Sequence, residues 1–277
     1  MRAVRRILGL VALAMAGWLG ALASCQHRFI YFPRAYQPAT PAAFLKRGGI
    51  AIETRTAAGR QVSWLWKPAD GVPERLWVVC GGNGSLALEM DDIAPLGSPR
   101  DAYLFFDYPG YGRCEGRASP DSIRDSLRAT VPAAAAACGL KPDDLRAQGV
   151  VLGHSIGAAV ALVAADEFGL RHAVLVSPFT STMDMARVMT GLPVGWLVRH
   201  RFDNRAALRA LERRGGRAWI VHGIMDEVIP VEMGRTLARE FPATTTLREV
   251  PDAGHNDIFL VAPDAIAAAM AEARGRE

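Results

Sequence analysis

The sequence predicts an α/β protein with a mostly parallel sheet of eight strands and helices on both faces. Two observations carry this. From residue 50 onward short β-rich runs alternate with Ala-rich helical stretches, a pattern that a parallel sheet with crossover helices satisfies. The 277 residues are 50% hydrophobic and 22% charged, enough apolar material for a sizeable core in one domain, or at most two. Disorder and collagen-like repetition are excluded.

The predicted strands are residues 50–54, 61–67, 76–80, 102–107, 149–153, 173–177, 217–222 and 245–250. Helix ends are clearest where capping chemistry marks them. Ser119 with Pro120 opens a helix that Gly139 closes, an apolar helix runs from 155 to 168, and another from 257 to 273. A Pro-rich aromatic run, Phe29-Ile30-Tyr31-Phe32-Pro33 with Pro38 and Pro41, reads as a packed lead-in that holds no regular element for long. Residues 178–204 break the alternation. They carry Met183, Met185, Met189, Leu192, Trp196 and Leu197, which suit either a small cap over a pocket or a core helix on the sheet.

Residues 1–24 have the form of an export signal: Arg2, Arg5 and Arg6 precede an uncharged apolar run from Ile7 to Leu22. Leu22-Ala23-Ser24-Cys25 resembles the lipobox of bacterial lipoproteins, which implies a mature chain that starts at a lipid-bearing Cys25. An uncleaved anchor with an incidental Cys is the alternative, and both put the globular part outside the cytoplasm against a membrane. Gln26, where an Asp would favour inner-membrane retention, points to the outer membrane. The organisation expected is thus a signal peptide at 1–24, a lead-in and lipid-anchor segment at 25–48, and the main domain at 49–277. The formal charge of +4 falls to about +1 without the three leader arginines, so composition indicates no nucleic-acid partner. Cys80, Cys114 and Cys138 lack metal-site spacing, and neither a metal nor a cofactor is expected. Three buried thiols are the default, with Cys80 and Cys114 the pair to test for a bridge.

The chemistry concentrates at Gly153-His154-Ser155-Ile156-Gly157, a Gly-x-Ser-x-Gly between an apolar strand and a helix. A Ser there sits on a sharp turn with its hydroxyl above the sheet, and the flanking glycines avoid clashes. Such a Ser needs a base and an orienting carboxylate, in the order Ser, acid, His. Asp226, after the strand at 217–222, and His255, in Asp252-Ala253-Gly254-His255, follow in that order. Asp203 and Asp252 are rival acids, and a solvated Asp and a surface His are the inert alternatives. Two N–H donors must face the oxyanion; Ile156, at the helix start, and Asn83, in Gly81-Gly82-Asn83-Gly84, are the candidates.

With these residues in place the chain resembles the α/β-hydrolase superfamily. Within it the likeness is to Bem46-like serine hydrolases and those related to alpha/beta hydrolase domain-containing proteins 13 and 17. The resemblance rests on Tyr31-Phe32-Pro33, Gly82-Asn83-Gly84, Asp107-Tyr108-Pro109-Gly110-Tyr111-Gly112, the Ser155 turn, Ser177-Pro178-Phe179-Thr180, Arg201-Phe202-Asp203-Asn204, Asp226-Glu227-Val228-Ile229-Pro230 and Gly254-His255-Asn256. It implies an α/β-hydrolase fold with a triad of Ser155, Asp226 and His255 and an oxyanion hole from Asn83 and Ile156. Two departures stand out: Gly81 replaces the usual His that supports the oxyanion loop, and Pro109 replaces the usual Arg. The expected activity is cleavage of acyl bonds in carboxylic esters, lipids or thioesters, acting on a small-molecule or lipid substrate. A serine peptidase and a non-catalytic, membrane-anchored binding protein on the same scaffold are the alternatives.

Overall fold

The computed structural model describes residues 26–275 and, before them, positions 9, 10, 17 and 20. Cys25 and all other positions of the proposed leader therefore lie outside the described residues. One eight-stranded sheet organises the chain: β1 (Ile50–Thr56), β2 (Gly59–Trp66), β3 (Leu76–Cys80), β4 (Ala102–Phe106), β5 (Gly149–His154), β6 (His172–Val176), β7 (Arg217–Gly223) and β8 (Thr245–Val250). Their spatial order is β1-β2-β4-β3-β5-β6-β7-β8. A two-residue turn at Ala57-Ala58 folds β2 back on β1, and β2 also pairs antiparallel with β4; the remaining pairings are parallel.

Buried on both faces, the central strands are continuously apolar rather than alternating. Leu76, Val78 and Cys80 meet one apolar core, and Trp77 and Val79 meet the other. The first core is closed by α2 (Pro120–Ala137), α4 (Ile156–Phe168), α6 (Asn204–Arg213) and α7 (Val231–Glu240), which contribute Ile123, Leu127, Val160, Leu208, Leu211 and Leu237. On the opposite face α1 (Ala39–Lys46), a 3₁₀ segment at Ala87–Leu96, α8 (Ile258–Val261) and α9 (Pro263–Arg274) bury Phe44, Ile93, Ile258, Ile266 and Met270. At about 1.5–3 kcal/mol for each large apolar side chain, these two layers dominate the stabilisation.

Several expectations are corrected. The lead-in does hold a helix, α1, because Pro41 occupies its first turn, where a missing N–H costs no hydrogen bond. The expected last helix is two, broken at Ala262 (φ −127°, ψ 45°) before Pro263, whose ring disfavours a helical conformation in the preceding residue. The short helix α3 (Pro142–Gln148) precedes β5. The default of free thiols holds at Cys80, Cys114 and Cys138, with Cys114 half-buried rather than buried: the Cys114 thiol donates to the Val62 carbonyl at 3.2 Å, while Cys80 faces the first core.

Residues 181–203 leave the sheet after β6 and return at their own starting point. Ser181 and Asp203 form an isolated antiparallel bridge, and the Asn204 side chain donates to the Phe179 carbonyl at 2.7 Å, pinching the base shut. Between them lie α5 (Thr182–Thr190) and a 3₁₀ turn at Gly195–Leu197. Met185 packs against the core, whereas Met183, Val188, Met189, Leu192 and Trp196 face outward.

Candidate active site

Strand order places the site. After β3 the chain adds β4 on one side and β5 on the other, so a crevice opens at the carboxyl ends of β3 and β5, where α/β sheets bind ligands. Ser155 follows β5 there, with φ 59° and ψ −123°, in a region that costs a non-glycine residue about 1–3 kcal/mol. The strain is held by the surroundings. The Ser155 amide donates to the Val176 carbonyl at 2.9 Å, and α4 packs so closely on β3 that a β-carbon on Gly157 would lie 2.1 Å from the Cys80 carbonyl oxygen. One on Gly153 would lie 2.1 Å from the Gly157 carbonyl oxygen. Only glycine fits at either position.

His255 and Asp226 are brought together directly: His255 Nδ1–H donates to Asp226 Oδ2 at 2.8 Å, with both side chains buried. Asp226 Oδ1 accepts from the Val228 and Ile229 amides at 3.0 and 2.7 Å. Burial alone would push the Asp226 carboxyl up, but hydrogen bonds from His222 and His255 and the Ile229 amide outweigh it and hold the group well below the usual carboxylate range. The two loops are also tied through their backbones, with the Met225 amide on the Ala253 carbonyl at 3.0 Å and the His255 amide on Glu227 at 3.2 Å. The rival acids are elsewhere engaged or exposed: Asp203 caps α6 through the Ala206 amide, and Asp252 faces solvent.

The His255 loop is fastened to the Ser155 turn by His154, which the sequence reading placed merely inside the turn. His154 Nε2–H donates to the His255 carbonyl at 3.0 Å, and the two rings lie 4.8 Å apart. Burial, reinforced by the neighbouring His255, lowers the His154 pKa from 6.5 to about 3, so the ring stays neutral. His222, the last residue of the strand expected at 217–222, donates Nε2–H to the Ile229 carbonyl at 2.9 Å and lies 3.4 Å from Asp226 Oδ2. No spacing rule flags either residue: His154 acts on a partner 101 residues away, and His222 acts across the turn that follows its own strand.

A pH dependence follows. As pH falls through about 6.5 the unfolded imidazole of residue 154 gains a proton, while the folded one stays neutral to about pH 3. Its contribution is complete above that window and shrinks within it by up to about 1.4 kcal/mol per pH unit. His154→Gln, which keeps an N–H donor and cannot titrate, is expected to flatten the wild-type dependence of unfolding free energy on pH between 6.5 and 3. Denaturant titrations across that range would show an unchanged slope if the proton linkage were wrong.

Two peptide planes set the direction of the candidate donors. The Ser155 carbonyl accepts from the Ala158 amide at 3.0 Å, so the Ile156 N–H of the same trans peptide points the opposite way. The Gly82 carbonyl likewise accepts from the Ser85 amide at 3.2 Å and turns the Asn83 N–H away from it. A β-carbon on Gly82 would lie 3.8 Å from Ser155 Cβ, so this turn lies against the serine.

In place of the absent histidine, tyrosines brace the turn. Tyr108 Oη–H donates to the Gly81 carbonyl at 2.5 Å, and Tyr111 Oη–H to the Asn83 carbonyl at 2.5 Å. Phe32 of the lead-in adds its amide to both Asn83 O and Tyr111 Oη at 2.9 and 2.8 Å. Below them the buried Asp107 accepts from Tyr36 Oη, Trp64 Nε1 and the Ala87 amide at 2.6, 3.0 and 2.9 Å. Burial raises its pKa to about 6 despite these bonds. The Asp107–Gly112 motif is therefore the support of the turn at 81–84.

The profile of the alpha/beta hydrolase family matches residues 74–230, a span that contains Ser155 and Asp226, and the chain belongs to that family. An uncharacterised protein of Mycobacterium tuberculosis (strain H37Rv) is 27% identical over 254 residues, 91% of this chain and 88% of that one. Alpha/beta hydrolase domain-containing protein 17B of Homo sapiens is 24% identical over 212 residues, 75% of this chain and 69% of its own length. Among solved structures, the esterase Pf2001 of Pyrococcus furiosus has a TM-score of 0.65 at 18% identity, covering 88% of this chain and 95% of that one. An alpha-beta hydrolase of Vibrio vulnificus has a TM-score of 0.65 at 17% identity, covering 85% and 88%. At these identities the structural likeness is one of fold.

Proposed function

We propose that the protein is a serine hydrolase that cleaves acyl bonds of carboxylic esters, lipids or thioesters through an acyl-enzyme intermediate. The observation that carries this is the buried His255–Asp226 hydrogen bond, fastened by His154 to a serine held at positive φ. Ser155 Oγ attacks the acyl carbonyl as His255 Nε2 takes its proton; the imidazolium then protonates the leaving group, and a water repeats the sequence to release the acid. Asp226 keeps the His255 proton on Nδ1, leaving Nε2 free to act as base. The Ile156 and Asn83 amides receive the oxyanion. We further propose that lipid on Cys25 tethers the enzyme to a membrane on the periplasmic or exterior side, the outer membrane being favoured. Among the described residues no helix is long and apolar enough to cross a membrane.

A series of p-nitrophenyl esters of increasing acyl length tests the reaction class. Turnover of the esters with little cleavage of peptide anilides is expected; anilide cleavage alone would make the protein a peptidase, and inertness toward both a binding module. Tyr111→Phe removes one of the two donors on the Asn83 carbonyl. It is expected to lower kcat roughly 3- to 30-fold with KM little changed, because the oxyanion donor loosens while the ground state is untouched. An unchanged kcat would show that Tyr108 and the lead-in hold the turn without it.

A further inference from the structure

The outward residues of the insert and lead-in form an apolar surface at the edge of the sheet where Ser155 opens. Val188, Met189, Leu192 and Trp196 on the insert and Phe29 on the lead-in are all exposed, Met189 at 73% and Trp196 at 64% of their full areas. Within the two segments that carry them, the charges left exposed have one sign. Residues 26–36 contain no acid, and the single acid of residues 182–202, Asp184, is taken up by Arg205. Arg28, Arg187 and Arg199 are exposed in the same two segments.

The lead-in and the insert are joined at the point where the described chain begins. Gln26 Nε2–H donates to the Leu197 carbonyl at 2.5 Å, and the Arg199 amide donates to Gln26 Oε1 at 2.6 Å. The uncharged apolar run ends at Leu22, only four residues earlier. Fully extended, four residues span at most about 14 Å, and a lipid on Cys25 would shorten the tether to one residue. Either group, once in the bilayer, would keep the insert within that reach of its surface.

We propose that this apolar, basic surface lies on an anionic lipid bilayer, with Trp196 and Met189 in the interfacial layer and the arginines on lipid headgroups. The proposal rests on the membrane-tether reading and deepens it. The insert follows β6 and Ser155 follows β5, and these parallel strands end on the same side of the sheet. Seated this way, the enzyme presents its serine to acyl groups borne at the membrane surface. Apolar residues beside basic ones suit such an interface, and Trp is at home at the headgroup level.

The test uses the full-length chain carrying Trp18→Phe, reconstituted in phosphatidylcholine vesicles with or without 30% phosphatidylglycerol and with brominated acyl chains. Trp196 emission should be quenched more strongly in the anionic vesicles. Trp196→Phe should lose most of that quenching, and Arg187→Glu with Arg199→Glu should abolish the phosphatidylglycerol dependence. Protein that floats with the vesicles while Trp196 escapes the bromine would overturn the orientation and leave the tether standing. Shielding of Trp196 from iodide without bromine quenching would assign the surface to a protein partner or second copy and likewise overturn it. Protein that fails to float would remove the tether and the proposal together.

Discussion

Ser155→Ala is expected to lower kcat/KM for an activated ester by roughly 10⁴- to 10⁶-fold while the protein stays folded. The alanine keeps the β-carbon that Ser155 already accommodates at φ 59°, so no new clash arises and the backbone strain is unchanged. What disappears is the oxygen that bonds to the acyl group; the amides of Ile156 and Asn83 would sustain only residual catalysis by water. A loss of less than tenfold, measured on protein with wild-type thermal unfolding, would remove Ser155 from the reaction. Ser155→Gly would be equally inactive yet more stable by about 1 kcal/mol, since glycine alone tolerates that conformation without cost.

Asp226→Asn is expected to cost roughly 10³- to 10⁴-fold in kcat, and the reason is specific to this site. One carboxylate oxygen accepts from two backbone amides and the other from His255. An asparagine has one acceptor and one donor end. With its oxygen toward Val228 and Ile229, its NH₂ faces His255 Nδ1 and forces the imidazole proton onto Nε2, where the ring can no longer accept from Ser155. Flipped, the NH₂ opposes the Val228 amide and the buried Ile229 amide instead, at about 1–3 kcal/mol of stability for the lost acceptor. The variant should therefore show both a kinetic defect and a lowered unfolding temperature. Wild-type kinetics would mean that Asp226 is only a structural clasp.

The positions of the strands and the strand–turn–helix around Ser155 were legible because they depend on short-range rules: apolar runs of strand length, and glycines where a sharp turn leaves no room for a side chain. All eight strands occur within two residues of where pattern places them, β3 and β8 at the same limits. Pro41 misled because a proline bars a helix interior but not its first turn, and Pro263 was overlooked as a break for the opposite reason. Asp226 and His255 could be placed by chain order alone, whereas the parts that fasten the site could not. His154 holds a loop 101 residues away, and Tyr111 braces a turn 28 residues earlier. Such contacts leave no periodicity. The outward-facing methionines of the insert show the same limit: composition gave their apolar character, but only the fold decides whether an apolar side chain points into the core or out of it.

The most direct measurement is mass spectrometry of the full-length protein after treatment with a fluorophosphonate, which reacts only with a serine made nucleophilic by its surroundings. A single adduct on the peptide containing Ser155, abolished by Ser155→Ala and strongly slowed by Asp226→Asn, is the predicted result. No adduct on folded protein, or an adduct on Ser177, the other non-glycine residue at positive φ among those described, would contradict the account.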